Sequence, residues 1–158
     1  MQFRTLFQSI RPSFLILSPV CVFLGTSTAI ASQISIDTTI LLLVITGALC
    51  AHISVNTLNE YADFKSGLDL VTVKTPFSGG SGALPREPAM ANTVLSAGLV
   101  TLFTTAAIGI YFVKQHGMLV LPIGIIGRVT ILTYTKWINR WPLLCLIAPG
   151  LGFGILMV

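Results

Sequence analysis

Long runs without a charged residue alternate with short charged segments along this chain of 158 residues. The charge-free runs cover residues 12–36, 38–59, 88–113 and 141–158, and a further apolar segment at about 117–135 carries one charge, at Arg128. About 20 apolar residues form a helix that crosses a hydrocarbon core of roughly 30 Å. The pattern therefore predicts an all-α, polytopic transmembrane bundle of five helices, in which the last, at 18 residues, is the shortest of the charge-free runs.

The composition agrees with a membrane protein. Hydrophobic residues make up 54% of the chain and charged residues 9%, whereas soluble domains carry about 25% charged residues. The basic N-terminal flank precedes an apolar segment that is longer than a signal-peptide core and has no clear cleavage site, so we interpret it as the first helix. Three cysteines at unrelated spacing predict no disulfide framework and no metal motif. We expect one membrane-embedded domain, residues 1–158.

The positive charges predict the orientation of the chain. Threading five helices through a bilayer leaves one basic residue, Lys114, on one side and seven on the other: Arg4, Arg11, Lys65, Lys74, Arg86, Lys136 and Arg140. The positive-inside rule makes the basic side cytoplasmic. We therefore expect an integral protein of the cell (inner) membrane, with its N-terminus and a loop at about residues 60–90 in the cytoplasm. Topology accounts for the basic charge, which gives no indication of a nucleic-acid partner.

The second predicted helix carries a polar face. At 100° per residue, His52, Asn56, Asn59 and Asp63 fall within an arc of about 60°, with Glu60 at its edge. Histidine and asparagine in a membrane often form hydrogen bonds between helices. An aspartate near membrane depth is costly and normally faces a partner or a cavity.

Three of the five acidic residues, Glu60, Asp63 and Asp69, lie within residues 56–69. Neighbouring carboxylates disfavour one another's charged form unless a cation lies between them. Mg²⁺ is usually held by one or two carboxylates together with substrate phosphates. From the residues alone, three interpretations remain open: a magnesium–diphosphate site, a solvated helix end, and an ion or proton pathway.

The stretch NTLNEYADFKSGLD, residues 56–69, resembles the first aspartate-rich motif of the UbiA-type intramembrane prenyltransferases, N-x-x-N-D-x-x-D-x-x-x-G-x-D. The loop sequence TPFSGGSG behind it is most similar to the menaquinone branch, whose members attach a polyprenyl chain to 1,4-dihydroxy-2-naphthoate. Arg11-Pro12 before the first helix and Tyr134-Thr135 at the end of the fourth are also similar to the family. Glu60 stands where the family usually has aspartate.

The resemblance implies a Mg²⁺-dependent transferase that moves a polyprenyl group from its diphosphate to an aromatic acceptor in quinone biosynthesis. It implies that Asp63, Asn59 and Glu60 are catalytic residues and bind the metal, joined by Asp69. The residues expected to bind the diphosphate are Lys74, Arg86, Tyr134 and Lys136, and Asn56 and His52 would support the polar face.

The family has a second aspartate-rich motif on a later helix, but this chain has no acidic residue after Glu87. Family members are also about twice as long. The resemblance therefore implies that the chain corresponds to the N-terminal half of such a bundle and needs the C-terminal half as a partner. Two other classes stay open: a transport or ion-binding membrane protein that uses the polar face of the second helix, and a nonfunctional remnant. The role of Arg128 is left open.

Overall fold

A computed structural model describes residues 2–72, 80–134, 137–138 and 141–158, and no strand occurs among them. The α-helices of this part of the chain are α1 (Gln2–Ile10), α2 (Pro12–Leu15), α3 (Leu17–Ala31), α4 (Thr38–Ser66), α5 (Leu68–Val71), α6 (Ala83–Arg86), α7 (Ala91–His116), α8 (Leu121–Tyr134) and α9 (Pro142–Pro149). Two 3₁₀ turns, Pro88–Met90 and Met118–Val120, precede α7 and α8, and a π-helical segment, Gly150–Leu156, follows α9.

The first apolar segment is interrupted twice. Arg11 adopts a left-handed backbone conformation (φ 56°), which ends α1, and Pro12 begins α2. The second interruption falls at Ile16, between α2 and α3. It lies within one turn of Pro19, which has no N–H to donate to the carbonyl of Leu15.

The longest described helix, α4, has clear signals at both ends. The Asp37 carboxylate accepts hydrogen bonds from the N–H groups of Thr39 (2.7 Å) and Ile40 (3.0 Å), which is the N-cap arrangement. Gly67 ends the helix in a left-handed conformation (φ 77°). The 29 residues of α4 extend over about 43 Å, longer than a hydrocarbon core of roughly 30 Å. Its polar C-terminal turns can therefore reach the membrane surface.

Helix α4 packs along α7. A Cβ atom added at Gly98 of α7 would lie 2.7 Å from Thr57 Oγ1 and 2.8 Å from Leu58 Cδ2, so the two helices approach closely at this point. Further along, Gly47 of α4 faces Ile108. Small residues at such crossings are how membrane helices achieve close packing, since lipid supplies no hydrophobic drive between helices.

Three helical stretches are long and apolar enough to cross a membrane: Phe3–Ala31, Thr38–Ser66 and Pro88–His116. They support a helical membrane bundle. The fourth and fifth predicted segments are helical over Met118–Tyr134 and Pro142–Leu156, but each has 17 or fewer residues. The expected count of five spanning helices is therefore not confirmed within the described part of the chain.

The polar ends of α4 and α7 are covered by α1 and by the segment 80–90. Because α4 continues to Ser66, residues 60–66 of the predicted loop are helical. A small apolar core joins these elements, made of Leu84, Met90, Ala91 and Val94, with Leu6, Tyr61 and Phe64 packed against it. The segment 80–90 is thus held against the end of α4 that carries the acidic motif.

Candidate functional site

The polar face of α4 contacts the first apolar segment at two levels. Nδ1 of the buried His52 lies 2.9 Å from the Ser18 hydroxyl of α3. One turn nearer the acidic motif, the Asn56 side-chain amide donates to the backbone carbonyl of Ile10 at 2.9 Å, at the end of α1. Both contacts are of the kind expected for hydrogen bonds between membrane helices. They hold the first segment in register with α4.

Asn59 and Asp63 are in direct contact one turn further along α4. The Asn59 amide Nδ2 donates to Asp63 Oδ2 at 2.7 Å, an i,i+4 pair on one face of the helix. Asp63 is buried. The amide therefore orients the Asp63 carboxylate at the polar end of α4.

Glu60 is fully buried and joins three separate segments. Its carboxylate accepts a hydrogen bond from the backbone N–H of Ser81 at 3.0 Å and a second from the Ser81 hydroxyl. Arg11 Nη2 lies 3.4 Å from Glu60 Oε2, an ion pair between the start of the first apolar segment and the end of α4. Both carboxylate oxygens of Glu60 are thus engaged by protein groups.

Tyr134, at the end of α8, belongs to the same neighbourhood. Its hydroxyl interacts electrostatically with Arg11 and Asp63 and lies 3.9 Å from Cys145 Sγ of α9. Arg11 also interacts with Asp63. The structure therefore brings together the basic residue before α2, the α4 motif and the tyrosine of α8.

Asp69 lies in α5, beyond the end of α4, and is buried. A Cβ atom added at Gly80 would lie 2.5 Å from Asp69 Oδ1, so the backbone of Gly80 packs directly on this carboxylate. Gly80 also has a positive φ of 72°. Asp69 and Gly80 are thereby in contact, although ten residues lie between them in the sequence.

The four expected metal ligands are not gathered into one ready cluster. Among the described residues, no group of three or more His, Cys, Asp or Glu side chains is placed to hold a metal ion. Asn59 and Asp63 nevertheless present the oxygen ligands that Mg²⁺ prefers, and Mg²⁺ needs only one or two carboxylates when substrate phosphates complete its shell. The pair therefore fits such an ion.

The basic residues expected at the diphosphate are only partly described. The exposed Arg86 donates from Nη2 to Gln8 Oε1 at 3.0 Å and to the Ser81 carbonyl at 3.5 Å, so it ties the loop to α1. Lys74 and Lys136 lie outside the described residues.

Arg11 and Ser81 are site residues that the sequence reasoning did not assign. In the sequence, Arg11 contributes to the positive-inside pattern and to the Arg11-Pro12 resemblance, and Ser81 lies in the loop sequence that is similar to the menaquinone branch. A usable signal existed, because a glutamate near membrane depth requires a compensating partner. Arg11 is a basic residue at the same membrane end, but nothing in the sequence selects it over the others there.

Comparison with known proteins gives one significant similarity. The chain is 32% identical over 132 residues to the 1,4-dihydroxy-2-naphthoate octaprenyltransferase of Bacillus subtilis (strain 168). The match covers 84% of this chain and 41% of that protein, so the chain spans less than half of the length of its relative. No family model and no solved structure matches the chain.

The acidic motif lies inside the matched region. A continuous match of 132 residues leaves 26 of the 158 outside it. Wherever the match begins, it therefore includes all residues from 27 to 132. The Asn59–Asp63 pair, Glu60 and Ser81 all fall within this range, so the similarity covers the part of the site that α4 and the loop provide.

Proposed function

We propose that this chain is part of a UbiA-type prenyltransferase that moves a polyprenyl group from its diphosphate to an aromatic acceptor. Its similarity to an octaprenyltransferase that acts on 1,4-dihydroxy-2-naphthoate carries the proposal. By the same similarity, a dihydroxynaphthoate is the proposed acceptor, and quinone biosynthesis the proposed pathway class. The orientation of the seven basic residues supports a site on the cytoplasmic face of the cell membrane.

In this proposal Asp63 is the principal ligand of Mg²⁺, and Asn59 keeps the Asp63 carboxylate oriented through their 2.7 Å hydrogen bond. When bound, the ion supplies positive charge that stabilises the departing diphosphate. Asp69 is the proposed ligand of a second ion or the residue that orients the loop. Arg86, Lys74, Lys136 and the Tyr134 hydroxyl are the proposed contacts of the diphosphate.

Glu60 has a supporting role in this proposal. Its oxygens accept from Ser81 and pair with Arg11, so it positions the loop and a guanidinium beside Asp63. Glutamate is longer than the aspartate that is usual in the family. The extra length suits Glu60, because its carboxylate must contact both segments at once. Fixed positive charge beside the leaving group contributes more in a site shielded from water than in solution.

The surrounding helices supply the environment that prenyl transfer requires. Large apolar side chains are exposed along α3, α7 and α8, including Leu24, Phe103 and Ile126, and such surfaces are compatible with lipid and with an isoprenoid tail. Loss of diphosphate from an allylic chain generates cationic character that water would quench. Exclusion of water by the membrane favours capture by the aromatic acceptor instead.

A pathway for ions along α4 is less well supported. His52 and Asn56 are engaged by Ser18 and by the Ile10 carbonyl. These contacts fill the polar face with packed protein groups instead of leaving it open to a permeating ion.

The experiment is a binding and transfer assay on the purified chain in nanodiscs, with radiolabelled polyprenyl diphosphate and 1,4-dihydroxy-2-naphthoate. We expect diphosphate binding that requires Mg²⁺ and disappears with EDTA. Prenyl transfer is measured both with the chain alone and after adding the corresponding remainder of the octaprenyltransferase relative. Binding that is indifferent to EDTA would refute the proposed metal site.

A further inference from the structure

Helix α1 turns its polar face toward the protein and its aromatic face outward. Thr5 and Ser9 are buried, and the Thr5 hydroxyl donates to the Glu87 carboxylate. On the opposite face the rings of Phe3 and Phe7 are stacked, 6.3 Å apart, and are 80% and 52% exposed. Arg4, which flanks them, is exposed as well. A surface helix in water has the reverse arrangement.

Two neighbouring aromatic rings on one exposed face require an apolar environment. Full burial of a phenylalanine side chain contributes roughly 1.5–3 kcal/mol relative to exposure to water. The bilayer is the apolar phase within reach, because Pro12 begins the apolar run directly after α1. An outward aromatic face flanked by arginine is the composition of helices that lie in the membrane interface.

A transmembrane orientation of α1 agrees poorly with its contacts. The left-handed residue Arg11 separates α1 from α2. The inner face of α1 packs on α6 and on the 3₁₀ turn Pro88–Met90, in the most highly charged part of the chain. Polar contacts of this kind belong at the membrane surface and not in the hydrocarbon core.

We propose that α1 lies in the plane of the membrane interface, with Phe3 and Phe7 inserted among lipids and Arg4 at headgroup level. Its polar face then holds the segment 80–90 through Thr5 with Glu87 and Gln8 with Arg86. The membrane surface thereby helps to hold the segment 80–90 against the end of α4 that carries the acidic motif. The inference rests on membrane insertion of the chain and is independent of prenyl transfer.

The test compares nitroxide depths at Phe3→Cys and Phe7→Cys, each in a background with Cys21, Cys50 and Cys145 replaced by alanine. Depth in liposomes is read by power-saturation EPR with oxygen and a nickel complex. We expect both labels at the same level, about 5–10 Å into the interface. A label at Leu24→Cys, on the lipid-exposed side of α3, provides a reference deep in the core.

Two results would overturn the proposal. If α1 continued the transmembrane direction, the label at position 7 would lie about 6 Å deeper than the label at position 3, from the rise of four helical residues. If both labels behaved as in water, the aromatic face would not contact lipid.

A second experiment tests the role of the two rings without placing a label at either of them. With the label at Arg4→Cys, replacing Phe3 and Phe7 by serine should move it from the interface into water while the Leu24→Cys depth stays unchanged. An Arg4→Cys label that keeps its depth would show that the two rings do not anchor α1.

Discussion

The Arg11 guanidinium lies 3.4 Å from the carboxylate of Glu60, a side chain with no exposed surface. The two residues are separated by 49 positions in the sequence. Their pairing connects the segment before α2 to the end of α4, and Ser81 adds the loop to the same carboxylate. The buried Glu60 carboxylate thus connects all three segments close to Asp63.

The Arg11–Glu60 pair should show energetic coupling. Removing one partner of a buried pair costs about 3–5 kcal/mol, because the other charge is left uncompensated. Arg11 is 25% exposed, so we expect less than this range for Glu60→Gln. Arg11→Gln should be the more destabilising change, since it leaves the fully buried carboxylate with Ser81 alone.

The measurement is a double-mutant cycle by thermal unfolding in detergent, with Arg11→Gln, Glu60→Gln and the double variant. We expect the double variant to lose less stability than the sum of the single variants, with coupling of at least about 0.5 kcal/mol. Strict additivity would mean that the contact contributes nothing to stability.

Asp63→Asn should weaken Mg²⁺-dependent binding of a polyprenyl diphosphate at least tenfold, equivalent to about 1.4 kcal/mol. The change removes the charge but retains an oxygen that can accept from Asn59, so the fold should be preserved. Equilibrium binding in nanodiscs, with and without EDTA, measures the effect. Asp37→Asn is the matched control, because Asp37 caps the opposite end of α4 and asparagine is also a good N-cap. Equal loss in both variants would contradict the assignment of Asp63.

Periodicity was sufficient to predict the polar face of α4, but not the end of the helix. Helical spacing placed His52, Asn56 and Asp63 on one face, where the first two contact the first apolar segment. The predicted loop at about residues 60–90 began too early, because α4 continues to Ser66 and ends at Gly67. The face depends only on local sequence, whereas the last helical turns are polar and hydropathy does not register them.

Contacts between distant segments could not be predicted in the same way. The partner of Glu60 is set by the left-handed turn at Arg11, and several other basic residues share that membrane end. Local breaks next to the apolar runs are also invisible to hydropathy. Gly117 ends α7 with a positive φ, and Pro149 lies where α9 gives way to a π-helical segment.

Gly80→Ala should destabilise the loop more than Gly67→Ala. Both glycines have positive φ, 72° and 77°, so both substitutions incur the left-handed penalty of about 1–2 kcal/mol. At Gly80 the new Cβ would also lie 2.5 Å from Asp69 Oδ1, whereas at Gly67 nothing lies within 4 Å. The difference between the two variants in unfolding free energy isolates this clash. Limited proteolysis should show faster cleavage near residues 70–82 in Gly80→Ala alone, and identical rates would argue against the Gly80–Asp69 contact.

Gly98→Ala should weaken the packing of α7 on α4, while Gly109→Ala in the same helix should not. At Gly98 the new methyl group would meet Thr57 Oγ1 and Leu58, and the Thr57 hydroxyl is held by the Ile53 carbonyl at 2.8 Å. The helices must then separate, at a cost of about 1–3 kcal/mol as for other overpacked cores.

At Gly109 nothing lies within 4 Å of the added methyl group. Alanine at this position therefore changes only the helix propensity, which stabilises α7 by up to about 1 kcal/mol. Thermal unfolding of both variants in the same detergent provides the comparison, and far-UV circular dichroism confirms that each remains helical. A loss of stability in Gly109→Ala equal to that in Gly98→Ala would place the sensitivity in α7 itself, whereas a loss confined to Gly98→Ala places it at the crossing with α4.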